Sequence, residues 1–357
     1  MQSLPPALFL VMLELTIGAY VTLYLLDLRG GTSRGYIVFQ GALYLVFAAL
    51  TYAALGAFAS RDLLCHVGLC QRDLDATWLG WQQPLVIVFA LALLLWNVLL
   101  WLDRSAPRKR RPRAEASDAA EDLTAEAPAR QPALGVAPFA TAPGAGHGVI
   151  VARQVVGAGA SLVGLLAIVA VGMAYRPLAA AHLNGAFVVG GFLAGSLALG
   201  GVTTAMLLGH WYLNTPSASG KPLEFTTTLL LAGLVAELLF ALALGPSTAH
   251  ALPNTTTVAP GTTIQTTGHT VVIATPTVAP GQRPPATTPR VAPIDTSAML
   301  VLQYAMGLLA PLALGAVALW LTRGRSFQSA TGMLYLCMAF IFIGEILARG
   351  LLLLPVL

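Results

Sequence analysis

Charge is what this sequence has least of. Lysine, arginine, aspartate and glutamate make up 10% of its 357 residues, and 57% of the chain is hydrophobic. A soluble domain carries about 25% charged residues, so the scarcity excludes the ordinary soluble classes and leaves a polytopic integral membrane protein. Cysteine is scarce too. Cys65, Cys70 and Cys337 are too few for a disulfide scaffold or a cysteine-ligated cluster. The opening MQSLPPALFL lacks a basic n-region and a small-residue cleavage site, so it reads as the start of a retained helix rather than a signal peptide. There is no P-loop, GxGxxG, GxSxG or HExxH. His66, His147, His182, His250 and His269 fall in predicted loops, and His210 has no intramembrane partner, so bis-imidazole haem ligation is not expected. No catalytic set, no metal site and no covalently bound cofactor is expected.

What the chain does have is eight apolar windows of about 20 residues, the length that crosses a bilayer. They fall near 5–26, 36–58, 84–102, 154–174, 186–209, 226–244, 298–321 and 333–354. The expected fold is therefore all-α: a bundle of about eight transmembrane helices in the cell (plasma or inner) membrane. Basic residues set its orientation. Arg104, Arg108, Lys109, Arg110, Arg111 and Arg113 follow the third window and mark a cytoplasmic loop. Arg29 and Arg34, Lys221, and Arg323 and Arg325 then also fall inside, which places both termini outside. The net charge of +4 follows this topology and is no nucleic-acid signature; the lipid bilayer is the expected partner.

Five stretches follow. Residues 1–103 carry three helices and an outer loop containing Cys65 and Cys70. Those two thiols are close in sequence on the oxidising side, where a disulfide is the favoured reading over free thiols or, with His66, an incomplete metal set. Residues 104–147 open basic, turn acidic and end in Ala, Pro and Gly, the composition of a disordered cytoplasmic linker. The RKRR run within it reads as a topology anchor, with anionic-lipid binding as the sharper alternative. Residues 148–244 carry three more helices, of which the fifth is rich in small residues. Its Gly191 and Gly195 form GxxxG, a pattern that permits close backbone approach. Residues 245–296 form a Thr/Pro-rich extracytoplasmic loop in which TTTVAPG recurs as TPTVAPG, with a small hairpin expected around Thr267 and Gly268. Residues 297–357 carry the last two helices.

Ionisable side chains inside the windows are few: Glu14, Glu237, Glu345 and Arg349. Each costs about 3 kcal/mol at the bilayer centre on insertion scales, so each must face the bundle interior, pair or be neutral. Glu345 and Arg349 lie four apart, on one helical face. That spacing makes them the expected charged pair and leaves Glu14 and Glu237 as the expected neutral or proton-exchanging groups. The bland alternative is that the pair only fixes the register of the last helix. His210, with Trp211, Tyr212 and Asn214, sits at a membrane boundary. It reads either as part of an aromatic belt or as a proton or headgroup site.

Two patches carry a family resemblance. ALFLVMLELTIGAY near the start, and Gly344-Glu345-Ile346-Leu347-Ala348-Arg349 near the end, resemble the membrane anchor subunits of DMSO-reductase-type enzymes and, more distantly, NrfD-like anchors. The resemblance implies a subunit without a cofactor of its own, which binds a quinol in the membrane, quinone being the one non-covalent cofactor considered, and passes electrons to a partner iron–sulfur subunit. Glu14, Glu345 and Arg349 are the positions it covers. The linker and the Thr/Pro-rich loop depart from it. A proton-coupled or other solute transporter, and a structural membrane subunit without chemistry, stand as alternatives.

Overall fold

A computed structural model describes residues 4–60, 64, 74–103, 147–178, 186–215, 219–244, 263–266, 269–272 and 296–353. Cys65, Cys70, most of the 104–147 linker and most of the 245–296 loop lie outside the described residues. Eight helices are long and apolar enough to cross a membrane. They are α1 (Leu4–Arg29), α2 (Arg34–Phe58), α3 (Ala76–Leu102), α4 (His147–Tyr175), α5 (Ala186–Asn214), α6 (Lys221–Leu244), α7 (296–323) and α8 (Phe327–Leu353). Strands Thr263–Thr266 and His269–Val272 pair antiparallel, with Thr266 opposite His269, which is the expected hairpin.

The helices match the eight windows but run past them at their polar ends. An apolar window finds the stretch that tolerates hydrocarbon, whereas a helix continues as long as its backbone bonds are satisfied. Thus α3 begins eight residues early, capped by Asp75, whose carboxylate accepts from the backbone N–H of Thr77 at 3.1 Å. Pro84 lies inside this helix rather than marking its start. Likewise α4 begins at His147, a residue expected in a loop, because its first turns carry Arg153 and that side chain has partners (below).

The helices form two four-membered rings. In the first, α1 packs on α2, α2 on α3, α3 on α4 and α4 on α1. In the second, α5, α6, α7 and α8 pack in the same cyclic order. The rings join mainly through α1, which touches α5, α6 and α8, and through α4 against α5. The centre of the molecule is therefore α1: 78% of its apolar window is buried, against 28% for peripheral α3. Eight passes bring the start of α1 and the end of α8 to one end of the bundle, here called the terminal end.

Glycine makes the central joint. A Cβ on Gly18 would overlap the Ser196 carbonyl, and one on Gly200 would overlap the Gly18 backbone. On the other side of α5, a Cβ on Gly201 would lie 2.8 Å from the Leu230 backbone, and one on Gly233 2.6 Å from the Ala198 nitrogen. Close backbone approach is expected of small residues in membranes, but it does not fall on the GxxxG pair. Gly191 has open space beside it, and Gly195 makes room for side chains instead.

Candidate functional site

The polar centre lies towards the terminal end, where α1, α5, α6, α7 and α8 converge. Positions 345 and 349 share one face of α8, and that face is turned inwards: Glu345 is 2% exposed and Arg349 7%. Across from them on α1, Glu14 has no exposed surface. The guanidinium of Arg349 grips Glu14 with two groups, Nε donating to Oε2 at 3.1 Å and Nη2 to Oε1. Two-point contacts of this kind are the strong form of the Arg–carboxylate interaction. Nη2 also stands 2.9 Å from Oε2 of Glu345, a second ion-pair contact. The Phe192 ring of α5 lies 4.1 Å below the guanidinium carbon, a cation–π contact. Gly195, one turn on, clears the space: a Cβ there would overlap Oε1 of Glu345 and lie 2.8 Å from Nη2 of Arg349. From α6, Glu237 brings a third carboxyl up beside Glu345.

The expected Glu345–Arg349 ion pair is present, and a further partner joins it. Spacing along α8 predicts Glu345 as the partner of Arg349. The structure gives the two-point contact to Glu14, 335 positions away, and leaves Glu345 with a single ion-pair contact. Glu14, expected only as a neutral or proton-exchanging group, is placed directly against the guanidinium because α1 runs through the middle of the fold.

A cavity of about 80 Å³ opens beside the cluster. Its polar lining is Glu237, Arg349, Gln303 and Tyr304, and its aromatic walls include Phe192 and Phe240. Gln303 and Tyr304 reach it because α7 is not a plain α-helix. Its first segment, Thr296–Leu302, gives way to a π-helical turn over Gln303–Leu309, after which Ala310–Arg323 is regular. Pro311 has no N–H for the carbonyl of Gly307 and crowds it, which disfavours ordinary α bonding there. Interruptions of this kind are often found at functional sites. The same turn sets Gly307 against α8, where its Cβ would lie 2.7 Å from the Gly344 Cα. The Tyr304 hydroxyl donates to the Ala241 carbonyl at 2.8 Å and so ties α7 to α6. The sequence singles out neither the π-helical turn nor the placement of Gln303 and Tyr304; Pro311 inside an apolar run is the one signal that could have pointed there.

His210 is not part of this site. It is exposed in the last turns of α5, 15 residues from Gly195, which is roughly 22 Å along a helix axis.

The opposite end of the first ring holds a second charged group that sequence reasoning passed over. Arg153 of α4 reaches Asp27 of α1 at 3.4 Å and Asp103, just past α3, at 3.5 Å. Arg34 of α2 reaches the same Asp103 at 3.3 Å and donates to the Leu100 carbonyl at 2.8 Å. Tyr24 and Tyr20 add hydrogen bonds from α1 to the α4 backbone at Gln154 and Gly157. All four helices of the ring are joined there.

Among the described residues, no cluster of three His, Cys, Asp or Glu side chains has the arrangement of a metal site. Cys337 is a buried free thiol that donates to the Pro311 carbonyl at 3.4 Å. Comparison with protein-family models, with curated proteins and with solved structures finds no match to this chain.

Proposed function

We propose that the chain is a quinol-interacting integral subunit of a membrane oxidoreductase complex in the cell membrane. The observation that carries this reading is the cavity beside the buried Glu14–Arg349–Glu345–Glu237 cluster. A quinol headgroup is a flat ring with a hydroxyl at each end and an isoprenoid tail. It needs aromatic or apolar walls, donors and acceptors at its oxygens, a proton acceptor, and access from lipid. Phe192 and Phe240 supply the walls, and Gln303, Tyr304 and Arg349 the polar contacts. Glu237 is the carboxyl at the lining and the general base of the reading. The cavity is small beside the sites of about 300 Å³ and more that enclose whole ligands. That suits an occupant which inserts only its polar head.

As quinol becomes quinone, two electrons and two protons leave it. The protons need acceptors such as Glu237. The electrons need a redox partner, and an iron–sulfur subunit docked on the complex is the partner class proposed. The π-helical turn of α7 at the cavity favours one alternative, a proton-coupled solute transporter, because interrupted helices recur at transporter binding sites.

The test is purification from native membranes in mild detergent, followed by extraction and quantification of quinone and identification of co-purifying redox subunits. The reading expects near-stoichiometric quinone and an iron–sulfur partner. Quinone-free protein with no saturable binding of an added short-tail quinone, together with proton-linked solute uptake in proteoliposomes, would replace it with the transporter.

A further inference from the structure

The buried cluster is out of charge balance. Among the described residues, the elements packed around it can be counted. α1 contributes Glu14, α6 contributes Glu237, and α8 contributes Glu345 and Arg349. α5 contributes only Phe192 and Gly195 to this contact, and α7 the neutral Gln303 and Tyr304. Three carboxyls thus face one guanidinium, and all four side chains are at least nine-tenths buried. Arg349 is committed to Glu14 by its two-point contact. Glu345 receives one ion-pair contact from the same nitrogen, and its carboxyl lies within hydrogen-bonding reach of the Glu237 carboxyl. Glu237 stands beside Glu345 and has no cation of its own. Two ionised carboxylates cannot share such a space uncompensated; buried charges are paired or neutralised, and neighbouring carboxyls then hold a proton between them.

We infer that Glu237 and Glu345 together bind one exchangeable proton. Glu237, which lines the cavity, is the group through which that proton enters and leaves, and Glu345 is the inner store. Glu14 and Arg349 are the fixed pair that sets the potential of the site and does not exchange. This inference uses the same cluster as the quinol reading but does not depend on it. The proton is bound whether or not any quinol occupies the cavity, and it serves a redox subunit or a transporter equally.

The experiment is infrared spectroscopy of the purified full-length chain in nanodiscs at neutral pH, without added quinone, before and after transfer to D₂O. The wild-type protein is expected to show the carbonyl stretch of a protonated carboxyl, shifting on transfer because the cavity admits exchange. Glu237→Gln should remove that band, since Glu345 keeps its ion-pair contact with Arg349, whereas Glu345→Gln should keep a band at a shifted frequency, since Glu237 is left buried without a cation of its own. The helical amide signature in the same spectra reports whether each variant folds. Should a variant fail to fold, the wild-type band alone decides. A wild-type spectrum without a protonated-carboxyl band overturns the inference. So does a band that persists in the folded Glu237→Gln variant, or one abolished by sodium ions, which would make the site a sodium site.

Discussion

Among the described residues, two charge clusters join helices, one half-buried and one buried, and they differ in arithmetic. At the far end of the first ring, two acids meet two bases: Asp27 and Asp103 with Arg153 and Arg34. The side chains there are 6% to 34% exposed. Each charge has an opposite partner, and the network ties one ring together. At the terminal end, three acids meet one base, the four are drawn from α1, α6 and α8, and a cavity opens beside them. A balanced network can be explained by architecture alone. An unbalanced one is costly to bury and has no architectural justification, because apolar residues would hold those helices together as well. The contrast is why chemistry is placed at the second cluster and stability at the first.

The contrast can be broken from either side. The largest effect is expected from Arg349→Gln. Removing the only cation found there among the described residues leaves three facing carboxyls, and loss of one partner of a buried pair costs about 3–5 kcal/mol. Thermal unfolding in detergent followed by far-UV circular dichroism should show a variant that is barely folded or not folded at neutral pH. Next comes Gly195→Val. Its side chain would overlap Glu345 and Arg349, and overpacking of this kind costs about 1–3 kcal/mol. The same substitution at Gly191, where space is open, should cost clearly less, which separates the packing role of the two glycines. Arg153→Gln at the balanced cluster should cost about 1 kcal/mol, because Asp103 keeps Arg34 and the network is partly hydrated. It should leave any quinone binding unchanged. The smallest effect is expected at His210→Ala. An exposed residue away from both clusters should shift stability by no more than about 0.5 kcal/mol and should not alter binding.

Much of the fold can be read from the sequence, because bilayer crossing imposes a length and an apolarity that eight windows satisfy. The helix ends cannot, since Asp75, Arg153 and His147 look like loop residues until their caps and partners are known. For the site, burial cost alone singles out Glu14, Glu237, Glu345 and Arg349. Spacing reveals the Glu345–Arg349 contact within α8, but not that α1 passes through the centre of the bundle and brings Glu14 to the same guanidinium. Arg34, Asp27 and Asp103 read as boundary charges, and nothing in one sequence shows that Arg153 gathers them. Gly195 belongs to a recognisable motif, yet it serves side chains rather than backbones. Gln303 and Tyr304 reach the cavity only through the π-helical turn.

The central claim is that the unbalanced cluster, and not the balanced one, is the working site. The most direct measurement is titration of a short-tail quinone into the nanodisc-embedded protein, comparing wild type with Glu237→Gln and Arg153→Gln. The account predicts saturable binding that is weakened at least tenfold by Glu237→Gln and unchanged by Arg153→Gln. Equal weakening by both variants, or binding that neither alters, would contradict it.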